Sequence, residues 1–170
     1  GCLVTIDAAS RYPTRITRIG LISGALAIPV NEQLLSLSDK ALSKAIQAMT
    51  SWGHGSMAHM HDNTQPGHSF LGYGNKVMAT NHQDALRNDL TACNAYQNGR
   101  EAAGKIQQPA ICILSEKDKM TPLKFGHKMA KVLQQDEATV IKSAGHMLPA
   151  EFPAEVNKAL SIFLENTDKS

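Results

Sequence analysis

Two short apolar runs, residues 110–114 and 139–141, each end in a polar turn and then lead into a segment that opens with a proline. The stretch that holds them, ICILSEKDKMTPLKFGHKMAKVLQQDEATVIKSAGHMLPAEFP, constrains the chain more than any other. A proline at the start of a helix loses no hydrogen bond, because the first helical N–H has no intrahelical partner. The pattern therefore reads as strand, turn, helix, strand, turn, helix. The first turn carries Asp118 and the second carries His146. Successive strands joined by a helix are parallel, and the right-handed crossover makes them near neighbours. Ligands and catalytic groups of such sheets gather beyond the carboxyl ends of the strands. An acid and then a histidine at that end are the last two members of a Ser…Asp…His order. Asp is a common turn residue and a single histidine usually sits on a surface, so the pair carries the inference.

The remaining elements follow from punctuation and period. Residues 1–13, GCLVTIDAASRYP, have little polar face and predict a buried helix that ends before Pro13. Ile16, Ile19, Leu21 and Ile22 predict a strand over residues 16–22, closed by Ser23-Gly24. Asn31 is placed to cap a helix over 32–49, with Leu35, Leu42, Ile46 and Met49 on one face. The Gly- and His-rich segment 51–80 reads as irregular. Helices are expected over 82–96, stopped by Asn98-Gly99, and over 101–106. Thr121 is expected to cap a helix with Pro122 at its first position and Phe125, Met129, Val132 and Leu133 facing inward. A last helix should run from Pro153 with Val156, Ala159, Leu160 and Phe163 buried. The fold class is therefore α/β. Residues 1–23 and 109–170 form the core, and 24–108 is a helical cap inserted over the carboxyl ends of the strands.

Several function classes are disfavoured. A net charge of +2 is too small to suggest nucleic acid or an anionic membrane surface as partner. No apolar run approaches the roughly 18 residues of a membrane span. Cys2, Cys93 and Cys112 form neither a disulfide framework nor a zinc motif and predict buried thiols in a reducing, cytoplasmic setting. His59-x-His61 has ligand spacing but only Asp62 beside it, which is weak support for a metal. Met49, Met57, Met60 and Met78, with Trp52 and Phe70, suggest either an apolar substrate wall or plain packing. Gly67-His68-Ser69 precedes the acid and histidine in the right order. Its polar run-in, with Pro66, cannot be a central strand, and Leu71 stands where a nucleophile turn needs a small residue.

The motifs resemble the C-terminal portion of an α/β-hydrolase-fold enzyme. Ala9-Ser10-Arg11-Tyr12-Pro13 and the strand after it resemble the segment following the nucleophile helix, "A-x-R-Y-P-x-R-V-x-x-L-V-L-I". Ser115 to Pro122 resembles the acid turn "G-x-x-D-x-x-x-P", with Ser115 in place of the usual Gly. Gly145-His146, Glu151 and Pro153 resemble "G-H-x-x-x-x-E-x-P". The resemblance covers both ends of the chain well and residues 24–108 only loosely. It implies that Gly1 is the last glycine of a "G-x-S-x-G" elbow and that the nucleophile lies two residues upstream, outside these 170 residues. The expected parent is a serine hydrolase of carboxylic esters with an apolar acyl or alcohol part. Asp118 and His146 are then the catalytic acid and base, and no metal or organic cofactor is required. The 170 residues alone are expected to be inactive, with the strand over 16–22 as an aggregation-prone edge. The same resemblance admits an epoxide hydrolase, dehalogenase, C–C hydrolase, acyl transferase or perhydrolase. A non-catalytic binding protein of this fold is the alternative from another class, and it would not need both turns.

Overall fold

The computed structural model describes residues 1–60, 69–134 and 138–167. Three strands form one parallel sheet in the order β1 (Ile19–Ile22), β2 (Ala110–Ser115), β3 (Thr139–Ile141). β1 aligns Ile19 with Ala110, and β2 aligns Ile113 with Thr139. β1 is shorter than the expected 16–22. The Ile19 N–H donates to Pro109 O at 2.9 Å, and Pro109 has no N–H to continue the ladder toward Ile16.

Alternation along β2 divides the core into two layers. Cys112 and Leu114 face helices α1 (Cys2–Arg11), α7 (Gly99–Gly104) and α8 (Leu123–Val132), meeting Ile6, Ala9, Ala103 and Met129. Ile111 and Ile113 face the opposite side, against Leu148 of the short helix α9 (Leu148–Glu151) and Val156 and Leu160 of α10 (Pro153–Thr167). Leu21 is fully buried in the first layer. Leu21→Ala is expected to destabilise the fold by about 2–5 kcal/mol in urea unfolding, since the cavity can collapse only in part.

Between β1 and β2 lie α2 (Glu32–Lys40), α3 (Leu42–Gly53), α4 (Ser56–Met60), α5 (Phe70–Ala79), α6 (Ala85–Ala95) and α7. The single helix expected over 32–49 is two. Asn31 caps α2 by accepting the Leu34 N–H at 2.7 Å. The chain then breaks at Ala41, which has φ −152° and ψ 63°. In a straight helix Leu34 and Ala45 would stand roughly 16 Å apart along the axis. The break folds α3 back so that both join Leu90 of α6 in one cluster.

The segment read as irregular contains α4 and α5. Gly72 and Gly74, which read as loop residues, lie inside α5. A Cβ on Gly74 would come within 3.1 Å of the Thr50 side chain of α3, so that glycine permits a close helix crossing. The helix expected over 82–96 begins later, at Ala85, after a turn at 82–84. Gly99 opens α7 instead of only ending α6. Its Cα lies so close to the Leu26 carbonyl that no Cβ fits. Phe125, expected in the core, is 39% exposed beneath the Lys124 and Lys128 ammonium groups, while Gly126 takes the inward place against Leu114. No helix among the described residues is long and apolar enough to cross a membrane.

Candidate active site

The acid and histidine turns meet at the carboxyl ends of β2 and β3. Parallel pairing continues past the strands, with Glu116 N–H donating to Ile141 O at 3.1 Å and Lys117 N–H to Ala144 O at 3.0 Å. These bonds hold the two turns side by side. His146 Nδ1 then lies 2.8 Å from Asp118 Oδ2. The carboxylate is the buried partner, with 1% side-chain exposure against 25% for the imidazole.

Asp118 is saturated with donors. Oδ1 accepts the N–H groups of Met120 and Thr121, both at 2.8 Å. Oδ2 faces the Thr121 hydroxyl, also at 2.8 Å. Burial alone would raise the carboxyl's pKa, but the bonds from His146 and Thr121 and the nearby imidazole outweigh it and hold the group below the ordinary carboxylate value. A folded-state value below the unfolded one contributes stability above the unfolded value and loses it as pH falls through the folded one. Wild-type protein is therefore expected to lose stability relative to Asp118→Asn on passing from neutral pH to below 3.8, the carboxyl's reference value. Urea midpoints of the two proteins across that range check this.

A carboxylate only accepts, so the imidazole proton shared with Asp118 sits on Nδ1. In the neutral ring Nε2 then carries the lone pair. An acid that fixes this tautomer and faces the imidazolium when it forms can support proton transfer at Nε2.

Thr121 was expected to cap α8, but Pro122 takes the cap position and the Thr121 hydroxyl turns inward. It lies 2.9 Å from Ser23 O as well as 2.8 Å from Asp118 Oδ2. It thus ties the end of β1, where Ser23 has φ 50°, to the acid turn. Sequence offered only the pre-proline position of Thr121, which pointed to a helix start.

The histidine turn has its own support. Ser143, with φ 60°, makes the bend after β3, and its N–H donates to Glu116 Oε2 at 2.9 Å. Glu151 Oε2 accepts from Gly145 N–H at 3.1 Å and from Gly55 N–H at 2.9 Å. Met147 N–H donates to Gly53 O at 2.9 Å. The end of α3 and the residues just after it are in this way tied to the turn that carries His146. The Glu of "G-H-x-x-x-x-E-x-P" was visible in sequence, but its partner Gly55 was not.

A cavity of about 310 Å³ opens beside His146 and Met147, between α3 and α5. Met49, Met78 and Phe70 line it, as do Met120, Tyr73 and Val77. Trp52 is not among the lining residues, and the side chains of Met57 and Met60 lie outside what is described. Ser69 is the N-cap of α5 and accepts the Gly72 N–H at 3.1 Å. His59 Nε2 lies 3.0 Å from Ser51 O, while His61 and Asp62 fall outside the described residues. No group of three or more potential metal ligands is found among the described residues. Cys112 is buried, and burial pushes its thiol pKa up to about 12. Cys2 and Cys93 are half-buried.

Three parallel strands in the order β1-β2-β3 with helices on both faces are the C-terminal part of an α/β-hydrolase fold. Solved structures agree. The chain is similar to a thermophilic esterase at 26% identity and TM-score 0.79, over 98% of this chain and 63% of that one. It is similar to the enol-lactonase from Burkholderia xenovorans at 20% identity and TM-score 0.80, over 96% and 62%. It is also similar to a bromoperoxidase from Bacillus anthracis at 18% identity and TM-score 0.78, over 94% and 62%. The chain spans less than two thirds of the length of each of these proteins. No family model and no curated protein matches it.

Proposed function

We propose that these residues supply the acid and the histidine of a Ser-Asp-His ester hydrolase whose nucleophile lies outside them. The observation that carries this reading is the 2.8 Å bond between buried Asp118 and the more open His146, at the ends of adjacent parallel strands. The position of α1 supports it. Cys2 Sγ reaches Ile22 O at 3.4 Å, so the helix starts at the carboxyl end of β1, beside the Ser23–Thr121 link to Asp118. A serine just before Gly1 would stand at the same end of the sheet. The similarity to a thermophilic esterase, the one comparison above 25% identity among those described, is consistent with the ester class.

In the proposed reaction the serine oxygen bonds to the ester carbonyl carbon, and the carbonyl electron pair moves onto its oxygen. The serine proton passes to His146 Nε2, and Asp118 stabilises the imidazolium from the Nδ1 side. Collapse of the tetrahedral centre breaks the bond to the alcohol, which leaves with the proton from Nε2. Water, activated by the same nitrogen, then releases the acid. The helices α2–α6 act as the cap, α7 packing instead in the core layer with α1 and α8, and the apolar cavity beside His146 receives the acyl or alcohol part.

The test is expression of the complete coding sequence and assay with p-nitrophenyl butyrate. Hydrolysis by the complete protein and none by the 170-residue chain is expected. Hydrolysis by the 170 residues alone would refute the placement of the nucleophile. An aspartate at the elbow would redirect the reading to an epoxide hydrolase or dehalogenase.

A further inference from the structure

The cavity beside His146 holds a second histidine that the proposed reaction does not use. His54 is 5% exposed and lies in the cavity wall. Its Nδ1 is 2.9 Å from Thr50 O, a carbonyl that can only accept, so Nδ1 carries the proton. In the neutral ring the lone pair is therefore on Nε2, which has no hydrogen-bond partner among the described residues. The surroundings are apolar. The Phe70 ring centroid is 6.3 Å from that of His54, and Gly74 is close enough that its Cβ would stand 3.6 Å from Cε1. The other polar groups of the wall are committed or open to solvent. The Thr50 hydroxyl contacts Met78 Sδ at 3.9 Å, and Tyr73 is largely exposed.

We infer that His54 is a specificity-determining residue that selects substrates carrying a hydrogen-bond donor, a hydroxyl or an N–H, on the group that fills this cavity. The inference rests on the ester-hydrolase reading for its reaction but not for its binding chemistry. A buried acceptor left unpaired by a fully apolar ligand penalises that ligand, whereas a donor restores the bond. At about 310 Å³ the cavity lies at the small end of ligand sites. It suits a short hydroxyalkyl group rather than a long chain.

Ketones mimic the ester without being cleaved, so the pair methyl butyl ketone and its terminal hydroxy analogue tests the point. Binding is measured on the complete protein at mildly alkaline pH, where imidazole is ordinarily neutral. The hydroxy ketone is expected to bind about fivefold tighter, the worth of one neutral hydrogen bond. His54→Phe should bring that ratio to about one, since it fills the space and removes the acceptor. Independently of any variant, the His54 Nε2 resonance should move upfield with the hydroxy ketone and stay in place with the plain one. Equal affinities, no binding of either ketone, or an unmoved resonance would overturn the inference. Selective binding without ester hydrolysis by the complete protein would uphold the role of His54 and remove the proposed reaction. Hydrolysis without selectivity would do the reverse.

Discussion

Asp118→Asn in the complete protein is expected to lower kcat about 10⁴-fold, and His146→Ala at least as much. The aspartate effect should be nearly as large as that of the histidine, although Asp118 has 1% side-chain exposure and is not among the cavity-lining residues. Its Oδ2 is the atom that keeps the proton on His146 Nδ1, at 2.8 Å. An amide there can present its N–H₂ to the ring instead, which favours the tautomer with Nε2 protonated. That tautomer cannot take a proton from a nucleophile. Oδ1 would still accept from Met120 and Thr121, so the turn should fold and KM should change little. Steady-state kinetics on an activated ester separate the two parameters. A large rise in KM with kcat preserved would show Asp118 to be a binding residue instead.

Gly145→Ala is expected to destabilise the protein by about 3 kcal/mol or more, at the upper end of overpacking costs. A Cβ at 145 would meet the backbone N of Gly55, the carbonyl C of His54 at 2.6 Å and Glu151 Oε1 at 2.8 Å. Two of these are main-chain atoms, so rotamer changes cannot relieve the overlap. Either the segment after α3 moves off the histidine turn or the turn itself shifts. The first breaks the Glu151 bridge between Gly55 and Gly145 and the Met147–Gly53 bond. The second moves His146 relative to Asp118. Activity should therefore fall even at temperatures where the variant remains folded. Urea unfolding with parallel kinetics tests both halves, and a variant of wild-type stability would show that this contact is not maintained in solution.

Asp118 and His146 were legible because each follows an apolar run and precedes a proline-marked segment, and those signals are local. β2 and β3 emerged close to their expected bounds for the same reason. What failed to show depended on partners distant in sequence. The length of β1 is set by Pro109 across the sheet, not by the apolar run from Ile16. The helix break at Ala41 answers to a cluster shared with Leu90. Gly72 and Gly74 read as loop residues because intrinsic propensity disfavours glycine in helices, yet Gly74 is needed where α5 crosses Thr50. Thr121 sits before a proline, and its local signal for a cap was overridden by Asp118 and Ser23. Nothing in sequence singled out His54 as facing the same cavity as His146, because α3 and the histidine turn meet only through tertiary packing.

In the proposed reaction Asp118 and His146 serve a serine that precedes Gly1. Fluorophosphonate labelling of the complete protein, followed by peptide mass spectrometry, tests it most directly. One adduct is predicted, on a serine two residues before Gly1, and it should disappear in His146→Ala. A His146-dependent adduct on a serine within the 170 residues, such as Ser69, would contradict the account, as would ester hydrolysis by the complete protein with no label before Gly1.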